Sequence, residues 1–374
     1  MEVASAFAAT PHVAPRRDRR LRRWVLPMLG GLVAAASTVP LVARFTPWPS
    51  ALLIRWAFDK GGRDANDALA RHVPAGILET LDEPYAATSP DARLDVFAPA
   101  GTAAGQRFPA VVWVHGGAWL SGDKDQVRNY LKILAAQGFT VIGVNYSISP
   151  GCHYPVPVRQ VNAALAHVRN HAERLHVDVS RIVLAGDSAG SHIAAQVANL
   201  TTSPAYAVDV GIEPSLEASQ LVGTVLYCGA YDLDLAAGAS GFGGWFIDTA
   251  LWSYSGSKDY ADDPTFRAAS VARHLTPRFP PSFISAGNAD PLLAHSEGLI
   301  AKLAALGVPT DAVMFPADRS PALGHEYQFD LDSDAGREAL SRSVAFLHRV
   351  SRNGAGRNGV SRNGVGRNGV GRGS

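Results

Sequence analysis

Short apolar runs recur along this chain at Leu94–Phe97, Ala110–Val114, Thr140–Val144, Ile182–Ala185, Leu221–Tyr227, Ser282–Ala286 and Ala312–Phe315. They lack the strict alternation of half-exposed strands, which is the pattern of strands covered on both faces. The segments between them carry apolar residues at helical spacing. Val158, Val161, Leu165 and Val168 share one face, and so do Leu340, Val344 and Leu347 near the end. Strands that alternate with helices predict an α/β domain with a mostly parallel central sheet, right-handed crossovers and helices on both faces. One such domain over residues 45–349 is large enough to bury its own core.

The alternation breaks between about 235 and 280. Gly238 to Gly244 is small and loose, and Trp245, Phe246, Trp252 and Tyr254 follow. This reads as a cap insertion. Trp245, Phe246 and Trp252, with Trp119 from an earlier loop, are candidate lining for a substrate pocket; the alternative is that these aromatics only fix the insertion to the core. Residues 47–90 carry Trp48, Leu52, Leu53, Ile54, Trp56 and Phe58. They form either a second part of the cap or a segment near a membrane.

Candidate chemistry sits at the ends of the predicted strands. Ile182–Ala185 runs into Gly186-Asp187-Ser188-Ala189-Gly190, and a helical pattern follows from Ser191 to Leu200. A serine at the apex of a strand–turn–helix forms a nucleophile elbow. Ala110–Val114 runs into His115-Gly116-Gly117-Ala118-Trp119. Glycines there let backbone N–H groups approach an oxyanion without an intervening Cβ. Gly116, Gly117 and Ala189, the residue after the serine, are the candidate donors, and His115 organises the loop.

A serine hydroxyl needs a base at neutral pH. His325, in a loop between the last predicted strand and the last helix, is the candidate, ahead of His295 and His192, which fall on helices. Asp290 follows the Ser282–Ala286 strand and is the candidate acid. It could instead cap the helix Leu293 to Leu306, and Asp232 or Asp234 could serve in its place.

Together, the His-Gly-Gly-Ala-Trp string, the Gly-Asp-Ser-Ala-Gly elbow and Gly324-His325-Glu326 resemble the hormone-sensitive-lipase-like and feruloyl-esterase-like carboxylesterases of the α/β-hydrolase superfamily. Asn145-Tyr146-Ser147-Ile148-Ser149-Pro150, followed by Tyr154-Pro155, resembles that family's Tyr-Arg-Leu-Ala-Pro segment. The resemblance runs over roughly residues 90–349. It implies Ser188 as nucleophile, Asp290 as acid, His325 as base and a small acyl ester as substrate, cleaved without metal or cofactor. Ala118 stands where lipases carry a third glycine. That form is also similar to kynurenine formamidases and prenylcysteine methylesterases, so a formamide or a methyl ester is the alternative substrate. A non-catalytic binding module is disfavoured, because every candidate of the serine machinery is present.

Charge and composition separate the ends from the domain. Residues 1–23 include six arginines between Arg16 and Arg23, interrupted by Asp18 and Leu21. Trp24 to Ala43 is then free of charge, and Arg44 closes it. Twenty such residues are long enough to span a bilayer, and the preceding arginines place the N-terminus inside and the catalytic domain outside. A cleaved export signal or a cytoplasmic enzyme are the alternatives. Residues 350–374 repeat Arg-Asn-Gly, and their composition predicts disorder. With a formal net charge of +1, and arginines concentrated at both ends, the domain itself is acidic. That argues against a nucleic-acid partner. Cys152 and Cys228 are the only cysteines and read as two separate thiols.

Overall fold

The computed structural model describes residues 42–87, 89–236 and 240–359. The chain divides into two units, Met1–Pro49 and Ser50–Ser374, and the second contains the sheet. Its strands are β1 (Leu78–Pro84), β2 (Arg93–Ala98), β3 (Phe108–Val114), β4 (Thr140–Val144), β5 (Val177–Asp187), β6 (Leu221–Tyr227), β7 (Ser282–Ser285) and β8 (Thr310–Val313). They lie in the order β1-β2-β4-β3-β5-β6-β7-β8. β2 pairs antiparallel with β1 and with β4, and every other pairing is parallel.

The helices are α1 (Trp48–Leu69), α2 (Arg128–Ala135), α3 (Val156–Asn170), α4 (Ser188–Thr202), α5 (Pro204–Val210), α6 (Gly241–Ser255), α7 (Pro264–Arg267), α8 (Leu293–Ala305) and α9 (Asp334–Gly359). Because side chains alternate along a strand, the central strands feed two cores. Val112, Val114, Ile142 and Leu184 pack with Val158, Val161 and Leu165 of α3 and with Ile193 and Val197 of α4. Val111, Trp113, Val141 and Val183 face the other way, against Leu131 and Leu134 of α2 and Phe346 and Leu347 of α9. The α4 helix is buried along its whole length. Its polar side chains therefore find partners: Ser191 bonds the Tyr231 hydroxyl at 2.7 Å, His192 the Ala269 carbonyl at 2.7 Å, and Asn199 the Val271 carbonyl at 3.1 Å.

The strand register sets the position of the chemistry. Val114 lies opposite Gly186, Asp187 opposite Tyr227, and Tyr227 opposite Ser285. Four parallel strands thus end at one level, and the loops after β3, β5, β6 and β7 open onto the same crevice.

Several expectations change. β1 is an additional edge strand. β8 lies two residues earlier than the apolar run suggested, because Phe315 leaves the sheet to pack edge-on against Tyr327, with centroids 5.4 Å apart. α9 continues through Gly359, so the tail expected to be disordered from 350 begins as helix, and its remainder lies outside the described residues. The cover over the crevice has two sources. α6 and α7 come from the expected insertion, and α1 is the second part. Ala51 and Ile54 of α1 are buried, and Arg55 donates to the carbonyls of Leu120 at 2.6 Å and Ser149 at 2.8 Å. Up to residue 41, the expected membrane-spanning run 24–43 lies outside the described residues; among those described, no helix is long and apolar enough to cross a membrane.

A buried ion cluster ties β2 to the loops at this edge. Asp95, fully buried, accepts from Lys124 Nζ at 3.1 Å and Arg128 at 2.9 Å, and Lys124, itself 3% exposed, also reaches Asp82 at 2.8 Å. Asp95→Ala leaves two cations short of a buried partner. It is expected to lower the unfolding free energy by about 3 kcal/mol, as read by urea denaturation.

Candidate active site

Ser188 sits at the turn from β5 into α4 with φ +49°, a left-handed conformation that raises its side chain above the sheet. The turn depends on small residues. A Cβ on Gly190 would collide with the carbonyl oxygens of Val114 and His115, and one on Gly186 with the Val114 carbonyl and the Gly190 backbone. The Ser188 hydroxyl lies 2.9 Å from Nε2 of His325. Nδ1 of the same ring lies 2.9 and 3.0 Å from the two carboxylate oxygens of Asp290. The Asp290 side chain has no solvent exposure, and its Oδ1 also accepts the Leu292 amide at 2.7 Å, which fixes the carboxylate for the imidazole. The three candidates thus form one hydrogen-bonded relay.

The competitors are occupied elsewhere. His295 accepts the Asp232 amide at 3.2 Å. The Asp232 carboxylate pairs with Lys302 at 3.0 Å, and Asp234 pairs with Arg273 at 2.6 Å. His192 is buried behind the elbow, and burial pushes its pKa down to about 4.

The oxyanion loop requires a correction. The amide of Gly116 donates to Asp187 Oδ2 at 2.8 Å, so it is not free for an oxyanion. Among the described residues, the Gly117 and Ala118 amides have no partner. Gly117 has φ +111°, and a Cβ there would meet the Ser121 carbonyl, so the turn needs glycine. Ala118 has φ +54° and lines the same cavity as Ser188 and Ala189. The Ala189 amide lies in the first turn of α4 and lacks an intrahelical acceptor. The amides left without a partner beside Ser188, among the described residues, are therefore those of Gly117, Ala118 and Ala189. His115 organises the loop: its Nδ1 bonds the Gly116 carbonyl at 2.8 Å, and its ring stacks on Tyr146 at 4.4 Å.

Asp187 and Glu326, which the motifs contained without revealing, also stand against the site. Asp187 is buried and accepts from Trp113 Nε1 at 2.7 Å as well as from Gly116. It braces the oxyanion loop against the elbow. Burial and the nearby Glu326 carboxylate push its pKa well above the usual carboxylate range, against the pull of those two donors. Glu326 holds φ +59°, and its carboxylate lies 3.9 Å from His325 Nε2.

Cys228 is buried beside the relay. Its sulfur, the Asp290 carboxylate and the His325 ring offer atoms within 4.8 Å of one another, but the histidine and aspartate atoms are already paired. Burial pushes the Cys228 thiol pKa up, against the pull of His325 beside it. Both cysteines are free.

Burial pulls the His325 pKa down, but the Cys228 sulfur, Asp290 and Glu326 outweigh it and hold it well above the usual histidine range. A base must be unprotonated, so kcat/KM is expected to fall as pH drops through a pKa above that of an ordinary histidine. Glu326→Gln removes a negative charge beside Nε2, and the acidic limb of the kcat/KM profile is expected to move to lower pH.

A cavity of about 360 Å³ opens at Ser188, and Trp119, Phe246, Ile247, Leu251 and Phe58 are part of its lining. Of the four aromatics expected there, Trp119 and Phe246 line it; Trp245 and Trp252 do not. Trp245 instead donates its indole N–H to Ser50 Oγ at 3.3 Å, fixing α6 to α1, and Trp252 carries Lys258 over its ring at 5.6 Å. Phe58 lines the cavity because α1 lies over the site, its ring 5.6 Å from Phe246.

The BD-FAE family profile matches residues 94–303, which takes in the oxyanion loop, the elbow and Asp290. The chain belongs to the BD-FAE family. It is 30% identical over 247 residues to esterase LipQ of Mycobacterium tuberculosis, covering 64% of this chain and 57% of that protein. It is 27% identical to an acetyl esterase of Salmonella paratyphi B, covering 60% of this chain and 68% of that one. In three dimensions it resembles esterase B of Lactobacillus rhamnosis, with TM-score 0.70, 22% identity and coverage of 81% and 96% of the two chains. An esterase of Pyrobaculum calidifontis gives TM-score 0.63 at 24% identity, covering 79% of this chain and 92% of that one. The fold is that of the α/β-hydrolases.

Proposed function

We propose that this chain is a serine carboxylesterase that cleaves short- to medium-chain acyl esters through an acyl-enzyme on Ser188. The observation that carries the reading is the Ser188–His325–Asp290 relay at the mouth of an apolar cavity. His325 takes the Ser188 proton as the hydroxyl oxygen attacks the acyl carbon. Asp290 holds the ring with Nδ1–H facing the carboxylate and stabilises the imidazolium. The carbonyl oxygen gains charge facing the amides of Gly117, Ala118 and Ala189, each such donor being worth roughly 3–4 kcal/mol in the transition state. His325 then protonates the departing alcohol, and water releases the acyl group by the same steps.

An apolar cavity suits an acyl chain and is superfluous for a formyl group, which favours an ester over a formamide. The esterase relatives support the same choice. We place the enzyme at a membrane through residues 24–43, with the domain on the outer side, on the strength of the uncharged run and the arginines before it.

The test is a series of p-nitrophenyl esters from acetate to palmitate, with formylkynurenine as comparison. Gly243 lines the cavity, and a Cβ there meets open space. Gly243→Trp is therefore expected to fold, to keep acetate turnover, and to lower octanoate turnover by about tenfold as the indole occupies the acyl chain's place. Turnover of formylkynurenine without ester turnover would refute the reading.

A further inference from the structure

The outer side of α1 is apolar where a solvated helix would be polar. Leu52 is 50% exposed, Leu53 59% and Trp56 67%. The opposite side is committed to the domain through Ala51, Ile54 and Arg55. These three side chains thus stand outward on a helix that covers the site. The same surface continues onto the rim of the acyl cavity. Trp245 ties α6 to Ser50 in the first turn of α1, and Phe242, 80% exposed, packs on Trp245 with centroids 5.3 Å apart. Leu235 lines the cavity and is still 50% exposed. An apolar surface of this kind beside a substrate entrance marks a docking site.

We infer that this surface docks on a lipid bilayer and lets acyl esters dissolved in that bilayer enter the cavity without crossing water. The chain itself names the occupant. Only Arg44 to Pro47 separate the uncharged run ending at Ala43 from the start of α1, and the six arginines before that run match anionic headgroups. Leucine and tryptophan on the outward side of a helix are the side chains that insert at the headgroup–acyl boundary. The inference rests on the esterase reading and narrows its substrate class to membrane-partitioned esters, such as diacylglycerols.

The test uses the full-length protein and phosphatidylcholine–phosphatidylglycerol vesicles. Leu53→Glu/Trp56→Glu changes two exposed residues outside the cavity. Soluble p-nitrophenyl butyrate turnover is expected to stay within about twofold, and turnover of a diacylglycerol carried in the vesicles to fall by about tenfold or more. Brominated lipid is expected to quench wild-type tryptophan emission more than that of Trp56→Phe. Unchanged vesicle turnover in the double variant, or equal quenching, overturns the inference. If the double variant instead turns a dimer into a monomer in sedimentation with vesicle turnover intact, the surface joins two copies and the inference is likewise wrong. Loss of all ester turnover in the wild type, with Trp56 quenching retained, refutes the esterase reading and leaves the docking surface standing.

Discussion

Ser188→Ala is expected to lower kcat/KM on p-nitrophenyl butyrate by about three orders of magnitude or more, with the fold intact. The size follows from what the hydroxyl does. Without it no acyl-enzyme forms, and the site retains only the amides of Gly117, Ala118 and Ala189 and the apolar cavity, which can still bind and polarise an ester for slow attack by water. KM is expected to change far less than kcat, because the acyl chain contacts are untouched. Hydrogen-for-hydroxyl replacement at a side chain 8% exposed leaves packing nearly unchanged, so circular dichroism and the melting temperature are expected to match the wild type. Wild-type activity in the variant would mean that another group attacks the ester.

Asp290→Asn is expected to lower kcat by about four orders of magnitude while the geometry survives. The asparagine can present its amide N–H to His325 Nδ1. The ring then keeps its proton on Nε2, the nitrogen that must accept the Ser188 proton. The variant also loses the carboxylate that holds the His325 pKa up. Two signatures therefore separate this effect from simple damage: a lowered kcat at every pH, and an acidic limb displaced to lower pH. A kcat within tenfold of wild type would assign the acid to another residue; Asp232 and Asp234, already paired with Lys302 and Arg273, are poor replacements.

Residues whose roles follow from local chain geometry were legible in the sequence. A serine between glycines after an apolar run has to stand at a sharp turn. Asp290 and His325 follow strands that end at the same level as the elbow. The central strands showed as apolar runs because both of their faces are covered. What could not be read depends on partners distant in the chain. α1 becomes a cover only because Arg55 finds two carbonyls, 65 and 94 residues away. Gly116 was expected to face an oxyanion, but its amide turns to Asp187, 71 residues on, and among the described residues it is the Gly117 and Ala118 amides that stay unpaired. Ala118 could have been suspected, since it occupies the third glycine's place in the loop. Trp245 and Trp252 could not be told from Phe246 by composition, because only the orientation of α6 decides which rings face the cavity. Glu326 follows the candidate base directly, and its acidity was the available signal.

The most direct test of the account is the mass of the protein after reaction with a fluorophosphonate, with the modified peptide sequenced. A single adduct on Ser188 is expected, formed in the wild type, slowed strongly in His325→Ala and absent in Ser188→Ala. An unmodified Ser188 in protein that is actively turning over esters, or an adduct on another residue that tracks activity, would contradict it.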